Sequence, residues 1–280
     1  MYEVIFLWVL ALLYIIFAVF QDFKTREIAN WITFSLAIFA LVFRFFYSLF
    51  GNDFSFFFQG LIGFGIFFAL GNLFYYSRVF AGGDAKLMIA LGAILPISPI
   101  FSTNLFSFVT FLLIFLFSGF AYILIASLVL CIKNFNSFKK EFLSRIKKNK
   151  KISFFSNLLG LILIILGIFK FPFLILGILT FFIFYLYIFS KSIDEVCMIK
   201  NILSRHLREG DWLYSDVRIG KNVIKASWDG LTKKEISQIK KKYDRTKIRQ
   251  GIPFSPNFLI AFLIFVALKI FDIQLWNSFW

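Results

Sequence analysis

Histidine and cysteine are nearly missing from this 280-residue chain, and their scarcity removes whole classes of chemistry. His206, the single histidine, lies in a basic polar stretch where a surface position is the ordinary reading, so Ser-His-Asp catalysis has little to rest on. Cys131 ends an apolar run and Cys197 sits among polar residues, with no CxxC pair, so neither a zinc site nor a disulfide framework is indicated. No cofactor and no metal are expected. Acidic side chains are also scarce, 15 against 30 basic ones, and the apolar runs are almost free of them. A transporter or scaffold that relays ions through aspartates would carry them mid-span, which disfavours that function.

What remains is apolar. Hydrophobic residues make up 60% of the chain, 44 of them Phe, and no soluble domain of this size could hide so much apolar surface. Tyr2 to Phe20 lacks a basic leader and a small-residue cleavage site, so it reads as a retained span. Further runs are Trp31 to Phe50, Phe54 to Tyr76, Leu105 to Ile132, Ile152 to Phe169, Phe171 to Ser190 and Pro256 to Phe271. Most approach the ~20 residues that cross a hydrocarbon core. Ala85 to Leu95 is shorter, with Pro96 and Pro99 behind it. An all-α polytopic membrane protein of about seven or eight transmembrane helices is expected. Arg44 stands alone mid-run, expected to snorkel outwards. Gly60, Gly63, Gly65 and Ala69 set small residues along the third run, which favours close helix packing.

The net charge of +15 is not a nucleic-acid signal once it is placed. With the N-terminus outside, 27 of the 30 lysines and arginines fall in segments 21–30, 77–86, 133–151 and 191–251. Such a bias marks those segments as cytoplasmic in a multi-pass protein of the cell membrane. Segment 191–251 is long enough for a small cytoplasmic α+β domain, between a transmembrane catalytic domain (1–190, basic loop 133–151) and a last helix (252–280). Trp212–Ile219 and Asn222–Ser227 alternate like strands joined at Gly220-Lys221, and Thr232 with Glu235 forms a capping box opening a helix to about Tyr243.

Two acidic residues stand at span edges on the same side. Asp22 ends the first run, and Asp84 opens the fourth after Ala81-Gly82-Gly83. Paired carboxylates sharing a proton can split a peptide bond, one taking a proton from water and the other protonating the carbonyl. Gly82-Gly83 allows close backbone approach there. The bland alternative, a solvated span end and an N-cap, stays open on these residues alone. Helix ends would make Asp84, at an N-terminus, the ionised member and Asp22, at a C-terminus, the protonated one.

The pattern resembles the type IV prepilin peptidase family, in its archaeal preflagellin peptidase-like branch. Asp22 followed by Ile28 and Asn30 matches its first element; Gly83, Asp84 and Lys86 match its second, Gly-x-Gly-Asp, with Ala81 where that motif's first glycine would stand. The resemblance covers Tyr2 to about Ile132 and returns from Leu231 through Gly251-Ile252-Pro253-Phe254. It implies an aspartic endopeptidase with Asp22 and Asp84 catalytic and Gly82, Gly83 and Lys86 in the active-site loop. The substrates implied are type IV pilin-like or archaellin-like precursors, cut at the cytoplasmic face behind a basic leader without a metal. No Cys cluster accompanies it, which argues for peptidase without methyltransferase activity. Presenilin-type proteases share Gly-x-Gly-Asp but carry Tyr-Asp and Pro-Ala-Leu elements; here Gln21 precedes Asp22 and no Pro-Ala-Leu occurs. Lys24 and Arg26 could tune the pair, and Asp194 and Glu195 could attract a basic leader.

Overall fold

The computed structural model describes residues 2–220, 222–227, 229–271 and 273. Each apolar run forms a helix. Among the described residues, six helices are long and apolar enough to cross a membrane: α1 (Tyr2–Thr25), α2 (Asn30–Gly51), α3 (Ser55–Tyr76), α5 (Phe101–Lys133), α7 (Lys150–Gly167) and α8 (Phe171–Cys197). Two fall short of the expected eight. Between α3 and α5, α4 (Gly82–Gly92) has 11 residues, about 16 Å at 1.5 Å per residue; near the end of the chain, α10 (Ser255–Ile270) has 16. The chain divides into two compact units, Met1–Leu124 with Pro253–Trp280, and Ile125–Ile252.

The first unit is built on helical periodicity. Along α1 the buried positions are Val4, Leu7, Trp8, Ala11, Ile15, Ala18 and Asp22, a stripe at steps of three and four that meets α2 and α10. Glycines bring α3 onto α4: a Cβ at Gly63 would collide with the Gly92 carbonyl, and one at Gly71 would lie 2.7 Å from Ile89. Gly60 makes room for the Arg44 side chain. Gly65 faces open space and Ala69 is exposed, so only half of the expected small-residue stripe packs, and Gly71 completes it.

Arg44 does not snorkel. It is fully buried, and its guanidinium donates to the carbonyls of Phe56 (2.9 Å), Ala93 (2.8 Å), Ile94 (3.2 Å) and Pro96 (2.6 Å). Pro96 and Pro99 end helical pairing after α4, and backbone freed inside an apolar bundle needs partners. Asn104 supplies more, accepting from the N–H groups of Ile97 and Ser98 and donating to the Ser98 carbonyl and to Gln59 Oε1.

In the second unit, segment 133–151 is a helix for most of its length, α6 (Phe135–Lys148), rather than a loop. Its Phe138 and Phe142 pack with Cys131, Phe189 and Ile193. β1 (Ile199–Leu203) and β2 (Trp212–Leu213) both pair antiparallel with β5 (Arg245–Arg249), which lies between them. The expected hairpin forms only around its turn: β3 (Val217–Ile219) pairs with β4 (Asn222–Ile224), Val217 opposite Ile224 and Gly220 at φ 62, while Trp212–Leu213, the start of the expected first strand, pairs with β5 instead; Lys221, the other half of that turn signal, lies outside the described residues. The Thr232–Glu235 capping box opens α9 (Lys233–Lys242) as its sequence predicts. His206 is exposed. Asp194 and Glu195 are engaged within the protein, Asp194 with Arg249 (3.0 Å) and Glu195 with Arg249 and Arg145 (3.8 Å each), which leaves them poorly placed to attract a leader.

Candidate active site

Asp22 and Asp84 are buried for the same reason. Asp22 stands four residues beyond Ala18, so it continues the core stripe of α1. Asp84 stands three, four and seven residues before Leu87, Met88 and Leu91, all buried on α4. Each aspartate is only 8% exposed. A solvated span end would not look like this.

The segment joining α1 to α2 folds back over the start of α4. Arg26 takes the left-handed conformation (φ 59) that ends many helices, and its N–H returns to the Asp22 carbonyl at 2.8 Å. Gln21 Oε1 accepts from the Ala29 N–H (2.9 Å), while Thr25 Oγ1 bonds the Gln21 and Glu27 carbonyls. This turn buries Ile28 directly on Gly83, where a Cβ would lie 3.0 Å from Ile28 Cβ and 3.3 Å from its backbone nitrogen. Two residues on, Asn30 Oδ1 accepts from Lys86 Nζ at 2.6 Å. Ile28 and Asn30 thus latch the first acidic element onto the second, and Lys86 serves that latch.

The two glycines before Asp84 have different duties. Gly83 is required by close approach, whereas a Cβ at Gly82 would meet only Tyr75, at an ordinary 3.7 Å. Ala81, the departure from Gly-x-Gly-Asp, has φ −70 and ψ 161, extended backbone open to any residue. The substitution therefore leaves the loop intact.

Electrostatics follows from this packing. α4 is too short to cross a membrane, and Asp84 lies in its first turn. Burial first, and then the negative charge of Asp22, push Asp84 up to about 7, against a backbone hydrogen bond from Ala81. Phe80, just before the loop, closes an aromatic cluster with Phe74, Phe115, Phe254 and Phe258. Burial works against the charge that a helix N-terminus would favour on Asp84 by ~0.3–1 kcal/mol.

Sequence reading missed what meets Asp22 from the other end of the chain. The backbone N–H of Ser255, at the start of α10, donates to Asp22 Oδ2 at 3.4 Å. The start of α10 is fixed in turn to α5: Tyr122 donates to the Pro253 carbonyl (2.9 Å), Ser118 to Asn257 Oδ1 (2.6 Å) and Asn257 to the Phe115 carbonyl (3.0 Å). The only local signal was a Ser-Pro-Asn opening at Ser255, which announces a helix and nothing about a partner 233 residues earlier. Among the described residues no group of three His, Cys, Asp or Glu side chains could hold a metal ion. What the arrangement offers is two buried carboxyl groups within each other's field, on elements that glycine and a latch bring together.

Residues 6–132 match the type IV leader peptidase family. A preflagellin peptidase of Methanococcus maripaludis is 37% identical over 89 residues, 32% of this chain and 38% of that protein. Another, of Methanocaldococcus jannaschii, is 34% identical over 82 residues, 29% of this chain and 35% of that protein. The matched stretch thus spans under two fifths of the length of either relative. No solved structure matches.

Proposed function

Because residues 6–132 match the type IV leader peptidase family, we propose that the chain is a membrane aspartic endopeptidase. It removes a basic leader from type IV pilin-like or archaellin-like precursors. The observation that carries this reading is the burial of Asp22 and Asp84 on the core faces of α1 and α4, within each other's field. The relatives named preflagellin peptidase support the substrate class.

Water held between the carboxyls loses a proton to the ionised aspartate as its oxygen attacks the scissile carbonyl carbon, while neutral Asp84 protonates the carbonyl oxygen. Collapse of the gem-diol returns that proton to Asp84. The first aspartate passes its proton to the departing amide nitrogen, so both carboxyls end as they began.

The finer topology belongs to the same proposal. All eight apolar helices traverse the bilayer or enter it, the N-terminus lies outside, and the basic segments with residues 191–251 lie in the cytoplasm. Asp22 and Asp84 then sit at the cytoplasmic face, where a precursor's leader meets its apolar helix. The test is cleavage of a precursor carrying a basic leader by membranes containing the protein. Asp22→Asn and Asp84→Asn should each abolish cleavage while the protein accumulates normally; full activity in either would refute the mechanism.

A further inference from the structure

Ser255 stands out among the residues near the aspartates. It is fully buried, its backbone N–H already reaches Asp22 Oδ2, and its hydroxyl is one of the few buried polar atoms without a hydrogen-bond partner among the described residues. A buried hydroxyl left unbonded is unfavourable by roughly 1–3 kcal/mol. Nothing in the packing of α10 requires a hydroxyl there, since Asn257 makes the polar contacts with α5.

We propose that Ser255 is the positioning residue of the aspartate pair: its hydroxyl donates to the Asp22 carboxylate and, with its own N–H at the start of α10, fixes the orientation of that group. Asp22 is then the group that takes the proton from water, and Asp84 the acid. This rests on the peptidase reading and assigns the roles within it. Two donors on one carboxylate favour its charged form, and a helix N-terminus favours it further. Among the described residues, Asp84 from α4 and Tyr122 from α5 lie within the field of Asp22, and Arg26, in the turn after α1, lies within that of Tyr122. All three are the same in every variant. A change confined to Ser255 therefore reads out the hydroxyl alone.

The experiment uses the full chain in membranes. Its probe is a synthetic precursor peptide with a basic leader, a glycine and an apolar helix. In Ser255→Ala the acid limb of the kcat/KM profile should move up by about one pH unit, because removing a donor from a carboxylate raises its pKa. kcat should fall about tenfold with KM little changed. Ser255→Thr, which keeps the hydroxyl, should restore both. An acid limb for Ser255→Ala that superimposes on the wild type overturns the proposal, as does a Thr variant that accumulates yet tracks Ala. Should Ala fail to accumulate, Ser255→Cys keeps the volume with a weaker donor and is read by the same limb.

Infrared carboxyl bands, assigned with Asp22→Asn, give a second reading that needs no substrate. The Asp22 band should titrate at higher pH in Ser255→Ala than in the wild type, and an unmoved band overturns the proposal. If the wild type leaves the probe uncut, the peptidase reading fails while the infrared shift still decides what Ser255 does.

Discussion

The two ends of α4 solve opposite problems with the same few residues of helix. At its N-terminus, Asp84 is buried within the field of Asp22, and Lys86, two residues on, is turned to Asn30. At its C-terminus, a fully buried cation, Arg44, bonds the carbonyls of Ala93, Ile94 and Pro96 and reaches across to Phe56. The polarity of the helix suits both, since the positive end meets an acid and the negative end a base. The difference lies in satisfaction. Arg44 is spent on backbone, whereas Asp84 is left with an unfavourable charge, which suits the acid role proposed for it.

Removing the anchor should have the largest effect. Arg44→Met leaves four carbonyls without their donor inside an apolar bundle, each worth roughly 1–3 kcal/mol, which together rival a typical folding free energy. The variant should fail to accumulate or melt more than about 10 °C lower in detergent; melting within two or three degrees of the wild type would erase the contrast between the ends.

Asp84→Asn should do the reverse, lowering cleavage by roughly 10³-fold or more while leaving the fold intact. The folded-state pKa of Asp84 is raised from the 3.8 of a free carboxyl to about 7, so its burial weakens the fold progressively as pH rises through that interval. The Asn variant should therefore melt several degrees above the wild type at pH 8 and level with it in acid. Activity carries the matching signature, because the acid must be protonated: cleavage should decline as pH rises through about 7, and a rate flat to pH 9 would assign the proton to another group.

Smaller still is the glycine contrast. Gly83→Ala presses a methyl against Ile28 at 3.0 Å and should cost about 1–2 kcal/mol with a several-fold loss of rate, while Gly82→Ala should fall within about 0.5 kcal/mol. Equal effects at both positions would mean that the latch of Ile28 on Gly83 contributes little.

How much of this was legible beforehand depends on how local the cause is. The helices of the apolar runs, the capping box at Thr232 and the hairpin around Gly220 each announce themselves within a few residues. Asp22 and Asp84 were found by their place at span edges and by resemblance, and the structure adds that each continues a buried stripe. Arg44 was misread because a lone arginine in one apolar helix looks like a snorkeller until the broken backbone after α4 is known to need donors. β5 went unseen because Arg245-Thr246-Lys247-Ile248-Arg249 buries only Thr246 and Ile248 and is otherwise polar or charged. The charge-by-helix-end expectation weighed the dipole of one helix and omitted both desolvation and α10.

The hydrogen bond from Ser255 to Asp22 has a temporal meaning as well. A ribosome makes Asp22 and Asp84 early, yet the helix that closes over Asp22 is translated only after the whole of segment 125–252. Until the last helix has been inserted, a nascent chain holds both aspartates with one wall missing. On the proposed reading, the aspartate pair stays incomplete until α10 has been made.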